Sequence, residues 1–205
     1  MYSINKVDNS ILLPIAIDNL CLIKPFKKEN KLKLPLEVYL NDESLLEMGD
    51  QISTFLLLQY LSHSCIKDKK ILIYECQSGL LAILASILES KEIKLVTSNY
   101  DSLLKIKKNI ILNKANKVQL SNISIREFSE TEYYDIIIDN STTQNFLEKI
   151  SIFKKMLKPQ TGELIIGEIS KARNFDTVKH IARACNLLYI SHYEQNGFIV
   201  AKFMI

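Results

Sequence analysis

From Lys70 to Ile83 the chain reads KILIYECQSGLLAI, and no other stretch constrains the fold as much. A short apolar run passes through a turn with one glycine, Gly79, into a segment of helical apolar spacing that extends to about Ser90. An apolar run, a tight turn and a helix in that order predict a buried parallel strand feeding a crossover. The turn then lies at the carboxyl end of the strand and the amino end of the helix. Open α/β sheets bind nucleotide-like ligands at that place.

The same alternation repeats downstream. Ile93–Thr97 predicts a second strand, Asp101–Asn113 a helix, Val118–Ser121 a short strand and Tyr134–Asp139 another. The run Ile136-Ile137-Ile138 suits burial on both faces. Gln144–Leu157 predicts a helix that stops at Lys158-Pro159. Glu163–Gly167 follows as a strand, and Lys171–Cys185 as a helix with Ala172, Val178, Ile181 and Ala182 on its buried face. Leu187–Glu194 and Phe198–Phe203 are strands joined through Gln195-Asn196-Gly197, and Asn-Gly between alternating apolar runs is a hairpin signal. Upstream, Ser10–Asp18, Leu20–Pro25 and Leu34–Leu40 predict short strands, with Pro14 demoting the first to an edge or a bulged strand. Asn41–Asp50 reads as an irregular acidic connection. Ile52–Ser62 reads as a helix capped by Asp50 or Ser53. Strands alternating with helices and ending in an antiparallel hairpin imply an α/β fold, a doubly wound and mostly parallel sheet.

The 205 residues are 47% hydrophobic and 24% charged, the balance of a chain that folds around a core. A net charge of +3 gives no argument for a nucleic-acid partner. The lysines of the second helix (Lys105, Lys107, Lys108, Lys114) read as a solvated face. Four cysteines and three histidines are scattered without metal-ligand spacing, so no metal is expected and the thiols read as reduced. Neither a membrane-length apolar run nor a signal peptide is seen, which makes the cytoplasm the expected compartment and excludes a membrane partner. There is no G-x-G-x-x-G, nucleophile elbow or P-loop.

Leu72, Cys76, Ser78-Gly79 and the following Leu-Leu-Ala-Ile resemble the first motif of Rossmann-like S-adenosylmethionine-dependent methyltransferases, V-L-D-x-G-C-G-S-G-x-L-A-I. Within that class the chain is most similar to the ribosomal protein L-eleven methyltransferase family. Tyr134 to Asn140 resembles its Y-D-x-V-V-A-N segment, and Met156 to Gly167 its L-L-K-P-G-G-x-L-I-L-S-G segment. Leu112-Asn113 matches the L-N after the family's second helix, and Ser191 to Phe203 resembles its last hairpin. Gly49 and Thr54 match the family's loop A-F-G-T-G-x-H-x-T-T, from which Glu47, Met48, Gln51 and Ser53 depart.

This resemblance implies a seven-stranded methyltransferase sheet, with residues 51–205 as the methyltransferase-like domain and residues 1–50 as N-terminal strands and linker. The family's N-terminal substrate-recruiting domain is expected to be reduced here. The implied cofactor is S-adenosylmethionine, and the implied partner is a protein, as substrate or otherwise.

The resemblance also assigns roles. Asn140 matches the residue that orients the acceptor amine; read from the residues alone, Asn140-Ser141-Thr142-Thr143 is equally a turn and cap. The donor-side positions are Gly49, Thr54, Glu75, Gln77, Ser78, Gly79, Thr97 and Asn99. Several depart from the family. Glu75 and Gln77 replace glycines, either filling the donor pocket or, for Glu75, meeting the donor's amino group. If the glycine they replace had positive φ, Gln77 is the residue expected to be strained. Thr97 stands where the family carries the acid that binds both ribose hydroxyls. Changes at Glu47-Met48, Ile73 to Gln77 and Thr97 lead to the first expectation: a degenerate donor site, weak or non-catalytic, on a scaffold serving as a binding or structural module. The alternative is an active, divergent S-adenosylmethionine-dependent protein (lysine or amine) methyltransferase.

Overall fold

A computed structural model describes residues 12–17, 20–25, 36–39, 48–128, 132–141 and 146–205, with side chains from Ser53 onward. Three strands, β1 (Leu12–Ile17), β2 (Leu20–Pro25) and β3 (Leu36–Tyr39), form an antiparallel sheet in that order. The long helix α1 (Met48–His63) follows. The main domain then alternates as β4 (Lys70–Tyr74), α2 (Leu80–Ile87), β5 (Glu92–Thr97), α3 (Tyr100–Leu112), β6 (Val118–Asn122), β7 (Ile136–Asp139), α4 (Phe146–Met156), β8 (Glu163–Ser170), α5 (Phe175–Ala184), β9 (Leu188–Gln195) and β10 (Phe198–Met204).

The seven strands β4 to β10 make one sheet in the order β6-β5-β4-β7-β8-β10-β9. Its first five members are parallel, and β10 runs antiparallel to both β8 and β9. The expected mostly parallel sheet with a C-terminal antiparallel hairpin is therefore present, and Gln195 pairs with Phe198 across the Asn-Gly turn. Strand order reverses at β4: the chain builds outward through β5 and β6, then crosses back to β7. A crevice at the carboxyl ends of β4 and β7 follows from that reversal.

Period-two alternation sorts the strand residues onto two faces. Ile71, Ile73, Ile93, Leu95, Ile136 and Ile138 pack with α1, α2 and α3 in one core. Leu72, Tyr74, Val96, Ile137, Leu164 and Ile166 pack with α4 and α5 in the other. Helix α2 is buried from Leu80 to Ala85, which explains its uniformly apolar sequence.

Several boundaries differ from expectation. Helix α1 starts at Met48, so Asp50 and Ser53 lie within it and neither caps it. Helix α2 ends at Ile87 because Glu89 takes φ +62 and Ser90 N–H donates back to Ala85. Helix α5 starts only at Phe175, and Ala172 is exposed in the preceding turn. Glu47, residues 27–33 and Thr142–Thr143 lie outside the described residues. Among the described residues no helix is long and apolar enough to cross a membrane, and no His, Cys, Asp and Glu side chains group as a metal site.

The turn before β8 is closed by Gly162, whose N–H donates to Lys158 O at 2.8 Å. A Cβ there would lie 2.7 Å from Lys158 O, 2.8 Å from Lys158 N and 2.9 Å from Leu157 Cβ. Two of these are backbone atoms, so the turn itself must move. Gly162→Ala is expected to destabilise by about 1–3 kcal/mol, the range of other overpacked sites. At about 2–4 °C per kcal/mol for a chain of this size, a thermal melt resolves the loss. An unchanged midpoint would contradict the close approach.

Candidate active site

A cleft of about 810 Å³ opens at the carboxyl ends of the central strands, lined by residues that directly follow β4, β5 and β7. That size falls within the roughly 300–1,000 Å³ of ligand sites.

The β4–α2 turn forms one wall. Gly79 has φ +75, and a Cβ on it would meet Ile106 Cγ2 at 3.1 Å, so glycine is required both by conformation and by the approach of α3. The buried Asn109 of α3 donates to Ser78 O at 2.8 Å and fixes the turn to that helix. Gln77 does not adopt positive φ; that conformation falls on Glu75, at +55. A non-glycine residue there is uncommon and carries strain. Cys76 is buried, and burial pushes its thiol pKa up, so it stays protonated.

Glu75 does not fill the cleft. Its carboxylate crosses to the end of β5. There Oε2 accepts from Thr97 Oγ1 at 2.8 Å, and Oε1 accepts from Ser98 N at 2.8 Å and Ser98 Oγ at 2.5 Å. Thr97 is fully buried, and its hydroxyl also accepts from Asn99 N at 3.2 Å. The Asn99 side chain caps α3, accepting from Ser102 N at 3.0 Å. The Tyr74 phenol is pushed up to about 12 by burial first, then by the Glu75 and Asp139 carboxylates, and remains a donor.

The β7–α4 connection forms the opposite wall. Asp139 is fully buried at the end of β7. Its Oδ1 accepts from Ser141 N at 3.0 Å and from Ser141 Oγ. Its Oδ2 lies 3.2 Å from Lys149 Nζ, itself on the buried face of α4 and bonded to Ser141 Oγ. Burial raises the Asp139 carboxyl pKa, against the opposing pull of Lys149 and Ser141. Asn140 sits between these two anchored residues. Its N–H donates to Tyr74 O at 3.0 Å, and its Oδ1 accepts from Ser53 Oγ at 3.3 Å. Ser53, buried in α1, in turn accepts from Glu168 N at 2.8 Å. Gly167 makes room for this junction, since a Cβ there would lie 2.8 Å from Ser53 Oγ and 3.1 Å from Asn140 Oδ1. Glu168, at φ +52, turns into the cleft.

The family model for Ribosomal protein L11 methyltransferase (PrmA) matches residues 10–202. The chain belongs to this family. The ribosomal protein L11 methyltransferase of Acinetobacter baylyi is 27% identical over 154 residues, 72% of this chain and 50% of that protein. The one from Phocaeicola vulgatus is 21% identical over 199 residues, 97% of this chain and 70% of that protein. The chain thus spans between half and seven-tenths of the length of these curated relatives. A ribosomal protein L11 methylase structure from Lactobacillus delbrueckii subsp. bulgaricus superposes with a TM-score of 0.69 at 18% identity, over 76% of this chain and 79% of that one. The N-methyltransferase NodS of Bradyrhizobium japonicum WM9, solved with S-adenosyl-L-homocysteine, gives 0.63 at 18% identity, over 80% and 92% of the two chains. Identities this low speak for the shared fold.

For this PrmA-family chain, membership places it among relatives named as ribosomal protein L11 methyltransferases. It lends nothing to the expectation of a non-catalytic scaffold. Nor does the cleft, which stays open with Glu75 and Gln77 on its wall. Of the expected site residues, Glu75, Gln77, Asn99 and Asn140 line this cleft together. Ser78 and Gly79 form the turn behind it, and Thr97 is buried under Glu75. Gly49 falls in the first turn of α1, and Thr54 is half-buried one residue after Ser53. Sequence reasoning missed Ser53, Ser98, Glu168 and the Asp139–Lys149 pair.

The donor set fits the hydroxyls of an adenosyl group, since the Glu75 carboxylate on the cleft wall can accept from hydroxyl donors. The first N–H groups of α2 point instead at the buried Cys76 sulfur.

Proposed function

We propose that the chain is an active S-adenosylmethionine-dependent methyltransferase whose acceptor is an amine on a protein. The observation that carries this reading is the position of Asn140. It stands at the switch-point cleft, clamped from both sides by Asp139 and Ser141, and its amide oxygen is held by Ser53.

The bound cofactor supplies a methyl group on a sulfonium, already activated for displacement. What remains for the protein is to hold donor and nucleophile in line. Asn140 Oδ1 has a second lone pair beyond the one given to Ser53, and that lone pair accepts an N–H of an uncharged amine. Bonded this way, the nitrogen lone pair is directed into the cleft. Tyr74 lies on the cleft wall as a protonated phenol, its hydroxyl bonded to the Glu75 carboxylate. The names of the curated relatives suggest the acceptor class, and ribosomal protein L11 is the first substrate to assay.

Calorimetric titration with S-adenosylmethionine and S-adenosylhomocysteine tests the donor side. Micromolar affinity and a raised melting temperature are expected, since ligand at about 100 times Kd stabilises by about 2.7 kcal/mol. No heat and no thermal shift at millimolar ligand would overturn the proposal. Methyl incorporation from labelled donor then tests the acceptor.

A further inference from the structure

Resting on that reading, we propose that Glu75 is the ribose-binding acid of the donor site, moved from β5 to the turn after β4. The resemblance places this acid at position 97, where the chain carries Thr. The structure puts a carboxylate beside that position all the same. Glu75 N–H still pairs with Val96 O at 2.9 Å, so the residue lies next to the end of β5. Its φ of +55 then directs the side chain across to Thr97 and Ser98.

The hydrogen bonds fix the carboxylate and leave it usable. A carboxylate offers about four acceptor positions. Ser98 N and Ser98 Oγ occupy two on Oε1, Thr97 Oγ1 occupies one on Oε2, and the Tyr74 phenol bonds the carboxylate as well. Ser98 is exposed, and its hydroxyl can rotate away. A vicinal diol therefore enters by replacing the Ser98 hydroxyl at the exchangeable position on Oε1, beside the Tyr74 phenol. Thr97 cannot give way in the same manner, because it is buried and tied to Asn99 N. The group is held at the β5 side of the cleft, with Ser98, Asn99, Ser102 and Lys105 beside it. This ribose role differs from the one that the resemblance offers for Glu75, as partner of the donor's amino group. The place of this carboxylate on the cleft wall makes it ligand-facing, and its bonds to Thr97 and Ser98 hold it there.

The test is calorimetry with S-adenosylhomocysteine and its 2′-deoxy analogue, on wild type, Glu75→Gln, Glu75→Gly and the double variant Glu75→Gly/Thr97→Asp. Wild type is expected to prefer the ribose ligand by about tenfold, as for one lost charge-assisted hydrogen bond. Glu75→Gln should bind it about tenfold more weakly and no longer distinguish the two ligands. Glu75→Gly accepts positive φ, so its turn is retained, and it should show the same loss. Restored affinity in the double variant would support an acid required at this point in space, from either strand. If wild type binds and the single variants bind as tightly or more tightly, Glu75 is only a staple between β4 and β5; the inference fails and the methyltransferase reading stands. If wild type binds neither ligand at millimolar concentration, both fail.

Discussion

Lys149→Met is expected to destabilise the fold by about 3–5 kcal/mol, the usual result of removing one partner of a buried ion pair. The Lys149 side chain is 7% exposed and the Asp139 side chain 1%, so water cannot replace the lost ammonium. Methionine fills the aliphatic volume but leaves Asp139 with the Ser141 donors on Oδ1 and nothing charged against Oδ2. At about 2–4 °C per kcal/mol, the melting midpoint should fall by roughly 10 °C. The pH dependence has a definite sign. Burial already holds the Asp139 carboxyl above its ordinary value, and losing Lys149 pushes it higher. A folded-state pKa raised above the unfolded one means the folded state binds more protons between the two. The variant is then least stable above its folded pKa and recovers as pH falls toward the unfolded value of about 4. Urea unfolding at pH 7.5 and pH 5 should show a smaller gap from wild type at the lower pH. The double variant Asp139→Ala/Lys149→Met should regain most of the loss, because neither charge remains buried. A single variant melting within about 2 °C of wild type would mean the pair carries little weight.

That pair also shows what the sequence made legible. The strand at Lys70–Tyr74 and the hairpin around Asn196-Gly197 lie where local pattern puts them, because burial period and turn chemistry are local properties. The location of the cleft followed too, since strand–turn–helix order and crossover rules determine where the sheet reverses. The partners inside the cleft did not follow. Glu75 and Thr97 are 22 residues apart, and they meet only because Tyr74 registers against Val96. A glutamate at this glycine position therefore leaves the cleft open, because its side chain has a second strand to lie on. Asp139–Lys149 does have a local signal. Phe146, Lys149, Ile150 and Phe153 repeat at the spacing of a buried helical stripe, and a lysine within such a stripe requires an anion. The aspartate that closes the run Ile136-Ile137-Ile138 is that anion. Ser53 is not a cap, because the helix begins at Met48 and carries Ser53 in its second turn, against Asn140 and Glu168.

Asn140→Ala is the change expected to affect catalysis most. Asp139 and Ser141 are anchored independently, so the backbone on either side of Asn140 should keep its course when the side chain is cut back. What disappears is the amide oxygen that Ser53 holds and that the acceptor nitrogen would use. Turnover should fall about 100-fold, the scale of losing alignment at a reacting atom, with donor affinity by calorimetry unchanged. The pH profile separates this role from base catalysis. An amide does not titrate, so the rate of wild type and variant alike should rise with pH as the acceptor amine, about 10.4 for a free lysine, loses its proton. A variant whose profile changes shape would point to a proton-accepting group elsewhere in the cleft. Ser53→Ala gives the intermediate case: it frees the amide to rotate without removing it, and should cost turnover less than Asn140→Ala does. If Asn140→Ala turned over at the wild-type rate while still folded and binding donor, the clamp at the end of β7 would be a packing device, and the acceptor would have to be oriented from another wall of the cleft.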